Sequence, residues 1–199
     1  MAWITKGLRN GVLATGYPTG VPGWLEGTYD SVGDVVVVRD GWSPERKFRR
    51  SLYIRHVDAG SDGSVEMEIA ALLNPLYDIN RLGIFFTASP RHADMLMVTG
   101  AGVAGMIEPL RTTYDAMPFP KVVMAVGSDT MTASPSGIDG DSFHAWPTGG
   151  FSGSVIASQV PVDIFVPGDP PSPLAILHGI LVAMGGLRAS STADAVGAS

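Results

Sequence analysis

From Ser51 onward the chain repeats one pattern: a short apolar run, a turn, then a longer segment with helical character. "SLYIRHVD", "IFFTAS", "MLMVTG", "KVVMAVG" and "VDIFVPG" are the short runs. Their length and near-continuous apolarity suit strands buried on both faces. "EMEIAALLNPLYDINRLG", "GMIEPLRTTYDAM" and "SPLAILHGILVAMGGL" read as helices, the first broken near Pro75. Strands that alternate with helices predict a parallel sheet covered on both sides, so the expected class is α/β: a flavodoxin-like three-layer fold with a mainly parallel sheet. Residues 51–187 form this α/β domain, and residues 1–50 an extended N-terminal arm rich in Gly and Pro. The arm ends in a short strand, "DVVVVRD", expected in a small hairpin outside the main sheet. Residues 188–199, "RASSTADAVGAS", have the composition of a disordered tail.

Open parallel sheets bind ligands beyond the carboxyl ends of their strands, close to where strand order reverses. Three turns in this chain would lie there: "DAGSDGSVE", "VGSDT" and "VPGDPP". Each sets a glycine, which allows close backbone approach, beside an aspartate: Asp62, Asp129 and Asp169. The expected fold therefore brings three carboxylates towards one edge.

Composition removes several functions. With 13 Lys and Arg against 19 Asp and Glu the formal charge is -6, which disfavours nucleic acid as a partner. The chain has no cysteine. That excludes disulfides, thiolate nucleophiles, zinc-thiolate sites and cysteine-ligated iron–sulfur clusters. The longest apolar stretch, residues 174–187, is shorter than the roughly 20 residues of a membrane-spanning helix. The opening residues have no apolar run of signal-peptide length, so no secretion signal is expected. His56, His144 and His178 lack zinc-motif spacing, and no nucleophile-elbow sequence is present.

The same turns, taken with "WITKGLRNGVLATGYP", "SPRHADMLMVTG" and "VPVDIFVPGDPPSPLAILHGIL", resemble the small, cluster-bearing subunit shared by respiratory complex I and the membrane-bound [NiFe] hydrogenases. The hydrogenase-type branch is the more similar, and the likeness runs from Trp3 to about Ala183. In that family the turns hold four cysteines that ligate a [4Fe-4S] cluster. The resemblance sets the first pair, a Cys-x-x-Cys just before Glu66, on Asp62 and Val65, the third on Asp129 and the fourth on Asp169. It therefore implies that the cluster is lost and that no cofactor is expected. Two other departures stand out: Ala101 replaces a proline, and "MTASPSGIDGDSFHAWP" is an insertion with room to cover the emptied site. The implied partners are a large subunit of hydrogenase or quinone-site type and a membrane-embedded subunit. Both would be met through loops and the arm, on the cytoplasmic side of the membrane and peripheral to it.

Carboxylates brought close together repel and raise one another's pKa. Water is the first expected remedy, and pairing with Arg55 or Arg91 the second. Glu66 and His92 are further expected neighbours. A hard cation such as Mg²⁺ or Ca²⁺, or shared protons, would also serve. The expected function is a cluster-free structural subunit of a membrane-associated oxidoreductase assembly. The alternatives are an electron-transfer subunit with a non-standard cofactor or hard-cation site, and an independent flavin or nucleotide binder. For the last, Gly60, Ser61, Gly63 and Ser64 would cradle a phosphate, although Asp62 and Glu66 would repel it.

Overall fold

The computed structural model describes residues 36–39, 41–131 and 155–187. The strands are β1 (Val37–Val38), β2 (Leu52–Asp58), β3 (Ile84–Phe86), β4 (Met95–Thr99), β5 (Val122–Val126) and β6 (Ile164–Val166). The α-helices are α1 (Ser64–Ala71), α2 (Ala104–Ala116), α3 (Val155–Gln159) and α4 (Pro173–Ala183). The strands form one six-stranded sheet in the order β1-β6-β5-β4-β2-β3. Every pairing is parallel except that of β1 with β6. Numbered among themselves, the parallel strands run 2-1-3-4-5, the order of flavodoxin-like sheets, and the order reverses between β2 and β4.

The central strands β4 and β5 are buried at every position, which is why their sequences are apolar without alternation. One face carries Val57, Leu96, Val98, Val123, Ala125 and Phe165, packed with Leu110 of α2 and Ile156 of α3. On the other face Met124, Ile164 and Val166 lie under α4. Gly179 lets that helix sit close, since a Cβ there would meet the Val166 side chain at 2.6 Å and Met124 sulfur at 2.9 Å. Helix α1 packs beside α4, completing three layers.

Two expectations are corrected. The helix expected over residues 66–83 with a break near Pro75 breaks earlier, at Ala71, and of its second half only the 3-10 turn Ile79–Leu82 is helical. Leu72, Leu73 and Asn74 close the helix with N–H bonds to the carbonyls three residues back, and the Asn74 side chain then accepts from the N–H groups of Leu76 and Tyr77, at 2.9 and 3.2 Å, in a turn that contains Pro75. The strand in "DVVVVRD" is not in a separate hairpin: Val37 and Val38 pair antiparallel with Phe165 and Ile164 at the sheet's edge. The segment that follows straps the sheet's N-terminal edge. Arg39 pairs with Asp163 at 2.6 Å and Lys47 with Asp94 at 2.7 Å. The same carboxylates accept from the neighbouring strands, Asp163 from the Val123 N–H at 2.9 Å and Asp94 from the Tyr53 N–H at 3.1 Å. Phe48 closes the strap by burying its ring. The N-terminal arm, the insertion and the tail fall, apart from these residues, outside the described ones.

Candidate functional site at the carboxyl ends of the strands

Four turns meet at the C-terminal edge. After β2, the Asp58 carboxylate accepts from the N–H groups of Gly60 and Ser61, both at 2.8 Å, and bends the chain into a tight turn. The turn after β4 lies directly on it: Gly102 and Val103 N–H donate to the Ala59 carbonyl. A Cβ at Gly100 would stand 2.5 Å from the Gly60 and Ser61 backbone, so only glycine allows this approach. The turns after β5 and β6 are likewise joined, Ser128 N–H to the Gly168 carbonyl at 2.8 Å and Gly168 N–H to the Ser128 hydroxyl at 3.1 Å. The two pairs meet at Gly127. A Cβ placed there would touch an Asp129 carboxylate oxygen at 2.7 Å and a Val65 methyl at 3.1 Å.

A hydrogen-bonded chain crosses the point where strand order reverses. His56, on β2, meets the hydroxyl of Thr99, the last residue of β4, at 3.0 Å. The Thr99 hydroxyl donates to Glu66 Oε1, in the first turn of α1. Ser61 donates to Glu66 Oε2 at 2.6 Å and accepts from the Gly63 N–H at 3.1 Å. Because the threonine proton points to the carboxylate, the imidazole is the donor to Thr99, which assigns the Nε2–H tautomer. Burial holds the His56 pKa below its usual value, against the upward pull of Glu66 and Asp58. His56 is therefore neutral at pH 7, and its 3.7 Å approach to Glu66 is not an ion pair there. Such a chain can relay a proton from the imidazole to the carboxylate when Nδ1 of His56 takes one up in exchange.

Residues 63–183, well over half of the chain, match the family described as "NADH ubiquinone oxidoreductase, 20 Kd subunit". The chain belongs to that family. Among its relatives is the "Probable membrane-bound hydrogenase subunit mbhJ" of Pyrococcus furiosus, 42% identical over 135 residues that cover 68% of this chain and 75% of that one. Another is formate hydrogenlyase subunit 7 of Escherichia coli, 39% identical over 140 residues. That match covers 70% of this chain but only 51% of the relative, so the chain spans about half its length. Among solved structures, a chain of the membrane-bound sulfane sulfur reductase, an archaeal respiratory membrane complex, superposes with a TM-score of 0.54 at 29% identity, covering 70% of this chain and 71% of that one. A chain of the NAD⁺-reducing [NiFe]-hydrogenase superposes at 0.50 over 71% of this chain and 95% of its own, with 18% identity, a likeness of fold alone.

Within this family fold, three of the positions that the resemblance equates with cluster ligands lie in the turns just described, and Val65 lies in the first turn of α1. Asp62 is exposed, and its Oδ1 accepts from the Ser64 N–H at 2.9 Å and the Ser64 hydroxyl at 2.6 Å. Those bonds hold its carboxyl below the usual range. Val65 is buried, with its methyl against Gly127. Asp129 is half-buried, and desolvation pushes its pKa up to about 6 against a hydrogen bond from the Thr130 N–H, with the charges of Asp169, Asp62 and Glu66 adding to the rise. Asp169 is exposed. As a donor set, three carboxylates and a valine do not fit a cluster held by four thiolates. Among the described residues, no group of three or more His, Asp or Glu is placed to hold a metal ion.

The two arginines stay apart from this edge. Arg55 neighbours His56 on β2 and so faces the other side of the sheet. Among the described residues, neither it nor Arg91 forms an ion pair with Asp62, Asp129 or Asp169. Arg91 and His92 are exposed in the turn Pro90–His92, ahead of β4 at the opposite end of that strand and packed towards α2. The phosphate cradle is also closed from within: the N–H groups of Gly60, Ser61, Gly63 and Ser64 already donate to Asp58, Ser61 and Asp62. Sequence reasoning missed His56 and Thr99. The available signal was the strand period, which puts His56 on the face of Ile54 and Asp58, one step from the strand's end.

Proposed function

We propose that this chain is a cluster-free structural subunit of a membrane-associated, hydrogenase-like or complex I-like oxidoreductase assembly. It keeps the family's scaffold, docks a large subunit to a membrane-embedded one, and sits on the cytoplasmic side. The observation that carries this reading is the convergence of Val65 and Asp129 on Gly127. The positions of two former thiolates are filled by a methyl group and a carboxylate that approach each other across one glycine, in a chain without cysteine. Electrons cannot cross this edge by the route a cluster would supply. The likeness to subunits named for membrane-bound complexes supports the setting.

The test has two arms. After anaerobic incubation with iron and sulfide, the purified chain should bind neither in stoichiometric amount and should show no broad visible absorption. Expressed with the neighbouring subunits, it should co-purify with them. Stoichiometric iron and sulfide would refute the cluster-free reading, and failure to co-purify would refute the structural role.

The chain from His56 to Glu66 favours one second reading. It links a neutral imidazole to a carboxylate beside Asp129, a group that exchanges its proton close to neutral pH. In that reading the edge carries protons for the assembly in place of electrons.

A further inference from the structure

Basic charge is concentrated at one end of this domain, although Glu45, Asp94, Asp163 and, near Lys121, Asp115 lie at that end too. At the C-terminal edge lie Asp58, Asp62, Glu66, Asp129 and Asp169, and residues 57–80 contain no Lys or Arg. At the N-terminal edge the strap carries Arg39, Arg46, Lys47, Arg49 and Arg50, which are five of the chain's 13 Lys and Arg within twelve residues. Arg39 and Lys47 are committed to the buried carboxylates Asp163 and Asp94. Arg46, Arg49 and Arg50 are exposed on the turn Arg46–Arg49 and the residue after it, and among the described residues they have no carboxylate partner. This turn is held rigidly, by the buried ring of Phe48 between the basic side chains and by Pro44 and Arg49 resting against Gly185 at the end of α4.

The same edge exposes an aromatic ring. Phe119, between Pro118 and Pro120 in the turn that leads into β5, is 81% exposed, the highest value of any large apolar residue described. Lys121 stacks its ammonium 4.6 Å from that ring and 3.6 Å from Tyr114. Its Nζ also donates to the Tyr114 carbonyl, fixing the turn to the end of α2. An exposed ring on a proline-stiffened turn, at the same end of the sheet as three arginines without carboxylate partners, has the composition of a surface that settles into a headgroup layer.

We infer that the N-terminal edge, Arg46, Arg49, Arg50 and Phe119, is a contact surface for an anionic lipid bilayer. The occupant follows from the charge arrangement. The chain is acidic overall, so an extended polyanion such as a duplex would meet net repulsion along its length. A flat anionic surface touches one edge only. The strands separate the two edges by roughly 15–20 Å, about two Debye lengths at physiological ionic strength, so the acidic edge does not cancel the basic one. The molecule is thereby oriented: basic edge on the headgroups, carboxylate edge turned away from them. The inference rests on the proposed membrane setting and adds a direct contact to association through partners.

The purified full chain should be tested by flotation with phosphatidylcholine vesicles and with vesicles that also contain phosphatidylglycerol. Binding to the anionic vesicles alone is expected, weakening as salt is raised. Each of Arg46→Ala, Arg49→Ala and Arg50→Ala should weaken it about fivefold. Phe119→Ser should reduce the part of binding that resists salt. Lysine at the three arginine positions should preserve it, which separates lost charge from lost folding. Asp62→Asn, at the other edge, should leave it unchanged. Equal binding to neutral and anionic vesicles would overturn the inference, as would full binding by the triple alanine variant. No vesicle binding, with co-purification intact in the parent but lost in the triple alanine variant, would replace lipid by an acidic partner protein. That outcome would leave the structural role standing.

Discussion

Replacing Asp129 with asparagine should stabilise the protein, and only above mildly acidic pH. The native carboxyl is desolvated and within electrostatic reach of Asp169, Asp62 and Glu66, which raises its pKa from 3.8 to about 6. A raised carboxyl pKa means that the fold prefers the protonated group. Its contribution to stability is complete below pH 3.8 and is lost as the pH climbs through about 6. Taken whole, the shift would be worth about 3 kcal/mol at 1.36 kcal/mol per unit, but Asp129 is only half-buried, and solvent screening brings the expectation down to about 1–1.5 kcal/mol. Asparagine imitates the neutral acid and keeps an oxygen for the Thr130 N–H. Urea denaturation of parent and variant should therefore give matching midpoints near pH 4, a gap that opens between pH 4 and 6, and a plateau above. A gap independent of pH, or a variant less stable than the parent at pH 8, would refute the electrostatic account of this edge.

The other perturbations probe the chain of hydrogen bonds and the strap. Glu66→Gln keeps one acceptor oxygen, for either Thr99 or Ser61, and removes the charge that lifts His56, so the imidazole should titrate still lower, as followed by NMR; an unchanged or higher value would show that the two groups are not coupled. Asp163→Ala strands the buried Val123 N–H and frees Arg39, and should cost about 2–4 kcal/mol in chemical denaturation, whereas Asp163→Asn, which can still accept from that N–H, should cost clearly less. Equal losses in the two variants would mean that the hydrogen bond to β5 is unimportant.

Much of this fold was legible because its signals are local. "MLMV" and "VVMAV" are apolar at each position, and that is a property of strands sealed between helical layers, whatever lies around them. The turns that gather Asp62, Asp129 and Asp169 were legible for the same reason, since parallel strands place their following turns on one edge. What escaped depends on pairing across distance. Val37 and Val38 look like any short strand, and nothing near them says that they will join Phe165 and Ile164. The helix after Ser64 ends before Pro75 because its last turn tightens to bonds three residues back, a change that no residue type announces. His56 reaches Thr99 across 43 positions and Thr99 reaches Glu66 across 33, so the site's hydrogen bonds are written in the strand order rather than in any motif. Arg55 and Arg91 were drawn towards the carboxylates by charge alone. Strand alternation turns Arg55 to the opposite face, and Arg91 precedes the strand whose far end the site occupies.

The carboxylate edge also restricts what can dock on it. Covering Asp62, Asp169 and Glu66 with an apolar surface would strip water from these carboxyl groups, and each one left charged and unpaired would oppose docking. A partner can meet that demand in two ways, and Asp129 distinguishes them. If the partner brings arginine or lysine, the added positive charge pulls the Asp129 pKa down from about 6 and the carboxyl stays ionised at neutral pH. If it brings only neutral groups, desolvation deepens, the pKa climbs past neutrality and docking takes up a proton. Association would then strengthen as the pH falls in the second case and would be insensitive to pH near 7 in the first. The structural role and the proton-carrying role part at this point: a purely structural interface needs the cations, and an edge that moves protons needs their absence.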